Sequence, residues 1–193
     1  MLTNGEHMID YSILAKAQSF YADCGFKYIE VPWLVSKEID DITKPPGVLA
    51  YNVIKGDKEK RFIGSGEQGF LYLVSKGHLP SNSYFQTTTP CIRNDNFDQT
   101  HSKYFMKNEL IYISREGIEL KGILDEMIDD AERFFQMHTG KVPLDIVQTS
   151  EGYDINYKGV EIGSYGIRSC IMCDWVYGTG VAEPRFSRML NAK

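Results

Sequence analysis

The chain has 193 residues, 42% of them apolar and 12% aromatic, which is enough for one sizeable core and short for two domains. Its 21 basic and 26 acidic residues leave a net charge of −5. That excludes the overall basic field that draws a protein onto nucleic acid, so an RNA partner would have to be recognised locally or through another subunit.

No apolar run approaches the roughly 20 residues that cross a bilayer. Met1 to Asp10 lack the apolar core of a secretory signal, so no membrane partner is expected and the expected address is the cytoplasm. Apolar residues at Leu14, Ala17, Phe20, Tyr21 and Cys24 form the stripe of an amphipathic helix over about 10–24, which Gly25 stops. Phe26 to Leu34 is aromatic and β-branched with Pro32 inside it, the pattern of an edge or terminating strand. A polar loop is expected from there to Lys60. A short helix follows at Glu67 to Lys76, closed by Gly77, and then two strand-forming runs, Ser83 to Arg93 and Lys103 to Ser114, flank a polar hairpin loop at Asn94 to Ser102.

The strongest helical pattern carries Leu120, Leu124, Met127, Ile128, Ala131, Phe134 and Phe135 on one side, with an acidic, solvated face opposite. Strands around 144–149, 153–157 and 160–168 come next, then a Gly-rich turn at Tyr177 to Gly180 and a short helix from Glu183. Strands joined by hairpin-length links predict an antiparallel β-sheet flanked by helices, an α+β fold forming one domain over 1–193.

Chemistry concentrates at Arg93, Asn94 and Asp95, followed by His101, Phe105 and Glu109 at intervals of four. On a strand that spacing puts all three on one face, and Arg93 on the partner strand reaches the same surface. An arginine fork suits phosphate, a ring suits a base, and a carboxylate suits a metal or an amine. An ordinary hairpin with an inward Phe105 gives the same spacing. Cys170 and Cys173 lack the second pair that a four-ligand zinc site needs, and all four cysteines are expected as reduced thiols.

The order Arg93, Asp95, His101, Phe105, Glu109 resembles motif 2 of the class II aminoacyl-tRNA synthetases, with Asp95 in place of the usual glutamate. Tyr177 to Arg185 resembles motif 3, whose arginine is Arg185 here; Ala182 and Glu183 stand near the usual third glycine. Cys24 to Trp33 is similar to motif 1, the family's dimer-forming helix and strand. Ser65-Gly66-Glu67 resembles the Thr-x-Glu loop that receives the substrate's amino group in the serine, threonine and proline branch. Val160 to Arg168 resembles the strand that supplies a glutamate to ATP-bound magnesium.

The resemblance implies ATP and Mg²⁺ as cofactors and formation of an aminoacyl adenylate. It implies Arg93 on the α-phosphate, Phe105 on adenine, Arg185 toward the γ-phosphate, Asp95 and His101 at the nucleotide, and Glu161, with Ser164 second, at the metal. Ser65, Glu67 and Glu109 are its implied amino-acid residues. It further implies a homodimer, and transfer to tRNA or to a carrier or other protein acceptor. No anticodon-binding domain is recognised in the sequence, which keeps open a non-catalytic paralogue acting as an amino-acid sensor or regulatory subunit.

Overall fold

The computed structural model describes residues 8–55, 57–94, 102–115, 118–140 and 142–191. In chain order the elements are α1 (Tyr11–Asp23), β1 (Lys27–Tyr28), β2 (Leu34–Val35), α2 (Lys37–Thr43), β3 (Asn52–Lys55), β4 (Lys58–Phe62) and α3 (Gly66–Ser75). They continue as β5 (Ser83–Ile92), β6 (Tyr104–Ser114), α4 (Lys121–Thr139), β7 (Asp145–Gln148), β8 (Tyr153–Tyr157), β9 (Val160–Cys170), β10 (Cys173–Glu183) and α5 (Arg185–Asn191). A seven-stranded sheet runs β1-β5-β6-β10-β9-β8-β7, antiparallel except for the parallel β1–β5 pair, and a small sheet runs β2-β4-β3. No helix among the described residues is long and apolar enough to cross a membrane.

The central strand β6 explains the layering. Side chains on a strand alternate between faces, and here both faces are covered: Leu110 and Tyr112 enter a core with α1 and α4, while Ile111 and Ile113 enter a second core with α3. Helix α1 begins where the Asp10 carboxylate accepts the N–H groups of Ser12 (2.8 Å) and Ile13 (3.3 Å), and it buries the predicted stripe of Leu14, Ala17 and Tyr21. Helix α4 buries Phe134 and Phe135 against Phe186 of α5 and leaves its acidic side outward, as its pattern predicts.

Three expectations change. Tyr177 to Gly180 forms no turn but continues β10, because these glycines serve close packing within a strand. A Cβ on Gly178 would lie 2.6 Å from the Met127 sulfur, and one on Gly180 would lie 2.0 Å from Asn108 Oδ1. The stretch from Phe26 to Leu34 is split by Pro32 into β1 and β2, which join different sheets. The expected polar loop beyond it contains α2, β3 and β4. The Asp40 carboxylate holds this region together, accepting from Gln68 Nε2 of α3 (2.8 Å) and Arg61 Nη1 of β4 (3.0 Å).

Glu183 closes the helical layer. It is buried, and its two oxygens accept the Asp10 N–H (3.1 Å) and the Ser187 N–H (3.0 Å), tying the start of α1 to α5. Burial raises its carboxyl above the ordinary 4.5, against the opposing pull of these hydrogen bonds. The folded chain therefore holds this proton to a higher pH than the unfolded chain does. The resulting stability is complete below the unfolded value and is lost as pH rises through the folded one. Glu183→Gln, neutral throughout, removes this dependence: as pH rises above the ordinary 4.5 the wild-type melting temperature should fall relative to that of the variant. Parallel thermal-unfolding profiles would contradict this.

Candidate active site

The face of β6 that carries Phe105, Lys107 and Glu109 is covered by α3 at one end and open elsewhere. Above it lies a cleft of about 660 Å³, walled by the loop after α2 and floored by β5, β6, β10 and β9. Register brings the floor together. Cys91 pairs with Phe105, Thr179 with Glu109 and Asp154 with Ser164.

At one end, Arg93 donates from Nε to the Gly64 carbonyl (2.7 Å), and its guanidinium carbon lies 5.1 Å from the centre of the Phe105 ring. A planar cation over an aromatic face is a favourable contact, and here it fixes the arginine beside the ring. Across the cleft, Arg185 Nη1 bonds Glu161 Oε1 at 2.9 Å; Glu161 is half exposed and Arg185 largely covered. Ser164 hydrogen-bonds Asp154, whose carboxyl is raised by burial, with Glu161 and Glu151 adding to the effect and Arg185 opposing it.

The other end is the start of α3. Ser65 caps this helix by accepting the Glu67 N–H (3.3 Å) and donates its own hydroxyl to Glu109 Oε2. Glu67 is buried; it accepts Arg168 Nη1 on both oxygens (3.0 and 2.8 Å) and Trp175 Nε1 on Oε1 (2.6 Å). Burial pushes its carboxyl up despite the Arg168 charge. Arg168 lies 4.1 Å from the Tyr177 ring centre and also bonds Glu151 at 2.9 Å.

Arg93, Phe105, Ser65, Glu67, Glu161, Ser164 and Arg185 thus line one cleft, and Glu109 lies beneath it, bonded to Ser65. Asp95 and His101 lie outside the described residues. The sequence reading missed the partners of Glu67, which are Arg168 and Trp175, and the Tyr177 ring against which Arg168 packs. A signal was present, because Ser164, Gly166 and Arg168 alternate along β9 as Trp175, Tyr177 and Thr179 do along β10. Only the pairing of Trp175 with Arg168 and Tyr177 with Gly166 places them together under α3. Among the described residues no group of three or more histidine, cysteine or acidic side chains forms a metal cage. The four cysteines are free thiols.

Breaking a buried ion pair by removing one partner costs about 3–5 kcal/mol, because the remaining charge is left uncompensated. Arg168→Met should therefore destabilise the chain by about that amount, and adding Glu67→Gln should restore a large part of it. Chemical denaturation of the two variants checks this, and equal losses would show that the pair is not coupled.

No family model matches the chain, and no curated protein matches it. Solved structures do. The chain is similar to a cytoplasmic serine-tRNA ligase from Naegleria fowleri in complex with AMP, at 17% identity and a TM-score of 0.72 over 93% of this chain and 52% of that one. A pyrrolysyl-tRNA synthetase from Desulfitobacterium hafniense matches at 15% identity and a TM-score of 0.67, over 93% of this chain and 67% of that one. A second pyrrolysyl-tRNA synthetase structure from that organism matches at 15% identity and 0.71, over 97% and 70%. The chain spans about half the length of the serine enzyme. The antiparallel-dominated sheet flanked by helices is the class II aminoacyl-tRNA-synthetase catalytic fold.

Proposed function

We propose that this chain binds ATP and activates the carboxylate of an amino acid as its adenylate. The observation that carries the reading is the polarity of one cleft. Arg93 stacked on Phe105 offers a phosphate fork beside an aromatic platform at one end, and the Ser65–Glu109 pair and Glu67 offer hydroxyl and carboxylate oxygens at the other. A nucleotide triphosphate fits the first end and an ammonium group the second.

The reaction is an in-line displacement. A substrate carboxylate oxygen attacks the α-phosphorus, the bond to the β-phosphate oxygen breaks, and pyrophosphate leaves with the electron pair. No protein group must move a proton, so rate comes from positioning and charge. Arg93 holds the α-phosphate, Phe105 stacks on adenine and Arg185 receives the departing phosphates. Asp95 and His101 complete the nucleotide contacts in this reading. Glu161, half exposed at the rim beside Arg185, suits Mg²⁺, which characteristically takes one or two carboxylates together with substrate phosphates, and Ser164 is the second candidate ligand. When bound, the ion supplies Lewis-acid neutralisation of phosphate charge. The acceptor of the activated acyl group is tRNA or a carrier or other protein.

ATP–pyrophosphate exchange, measured with each of the twenty standard amino acids, should reveal at least one that supports exchange. Arg93→Ala should lower that exchange by on the order of 10²-fold, as for loss of one preorganised oxyanion donor. Full activity in the variant would contradict the assignment, and binding of ATP and amino acid without exchange would mark a sensor.

Exposed aromatic residues in the segment after α1, Trp33 at 55% and Tyr28 at 37%, support a homodimer through this segment. Sedimentation should show a dimer that Trp33→Glu converts to monomer. A monomeric wild type would contradict this.

A further inference from the structure

We propose that Lys107 is a positioning residue that holds the substrate carboxylate for attack on the α-phosphate. This rests on the adenylate-forming reading above. Lys107 faces the cleft from β6, opposite Thr89 of β5 and Ala182 of β10, one alternation beyond Phe105 and one before Glu109. It is 8% exposed, an unusual burial for a lysine.

Its ammonium nitrogen lies 2.7 Å from Glu109 Oε1, an ion pair at hydrogen-bonding distance. The other Glu109 oxygen is taken by the Ser65 hydroxyl. Among the described residues Glu109 is the lysine's ion-pair partner, and one carboxylate oxygen engages at most one or two of its three N–H donors, leaving a donor for a further acceptor. A covered, charged donor of this kind on the floor of a cleft awaits an anionic oxygen.

The order of groups along the floor identifies which one. From the nucleotide end come Arg93 and Phe105, then Lys107, then Glu109 with Ser65. In an α-amino acid the carboxylate is bonded to the carbon that bears the ammonium. A substrate with its ammonium at Ser65 and Glu67 and its carboxylate toward the nucleotide places that carboxylate at Lys107. The lysine binds one carboxylate oxygen and leaves the other free to form the new bond to phosphorus as the pyrophosphate bond breaks. Glu109 acts through Lys107 by holding its ammonium in place.

The test is exchange kinetics with whichever standard amino acid supports most exchange in the wild type. Lys107→Met should raise the amino-acid KM by about tenfold or more while the ATP KM stays within about twofold, and Lys107→Arg should recover part of the loss. Because Lys107→Met leaves Glu109 buried and unpaired, a thermal melt accompanies the kinetics: Lys107→Met should remain folded at the assay temperature, and Lys107→Arg, which keeps a cation beside Glu109, should melt close to the wild type. An unchanged amino-acid KM, or a rise confined to the ATP KM, would overturn the role of Lys107 and leave amino-acid activation standing. Wild-type chain that exchanges with no amino acid would overturn the activation reading and the inference with it.

Discussion

The alternation of side chains along β6 is the constraint from which the rest of the molecule follows. Even-numbered residues, Leu110 and Tyr112, join the core with α1 and α4, and odd-numbered residues, Ile111 and Ile113, join the core with α3. Toward the other end of the same strand α3 no longer covers the odd face, and Phe105 and Lys107 become the floor of a cleft, with Glu109 buried beside them under the start of α3. A one-residue slip in register would turn Lys107 and Glu109 toward the core that Leu110 and Tyr112 enter and Met106 and Asn108 toward the cleft, so fold and chemistry are specified together. The neighbouring strand β5 locks that register through continuous pairing along its length, and β10 pairs on the other side with one irregularity between Thr179 and Val181.

The site itself is built from charges that hold one another. Glu67 is fixed by Arg168 and Trp175, Glu109 by Ser65 and Lys107, and Glu161 by Arg185. Such pairs contribute little net stability when buried, because desolvation offsets their attraction. They do fix direction. A reaction that requires only positioning and charge stabilisation gains most from groups whose orientation is set in advance. Asp40 does the same for the wall of the cleft, bridging α2, α3 and the small sheet through Gln68 and Arg61.

Much of this was legible in the sequence where one period dominates. Helices α1 and α4 and the hairpin of β5 and β6 follow from their apolar spacing, and Arg93 and Phe105 share a face as their positions require. What escaped had mixed signals. Strand β4 is Lys58-Glu59-Lys60-Arg61-Phe62, largely exposed and without an apolar alternation, so nothing in its sequence separates it from a loop. Gly178 and Gly180 carry the signature of a turn but are needed for packing against Met127, Tyr165, Asn108 and Tyr21. The contact of Glu67 with Arg168 spans about half the chain, and no local pattern encodes it.

In the proposed reading one cleft face binds ATP with its adenine at Phe105 and its α-phosphate at Arg93. A crystal structure of the chain with AMP should show the adenine ring stacked on Phe105 and the phosphate within hydrogen-bonding distance of the Arg93 guanidinium, on the floor formed by β5 and β6. Nucleotide bound elsewhere, or none at saturating AMP, would contradict it.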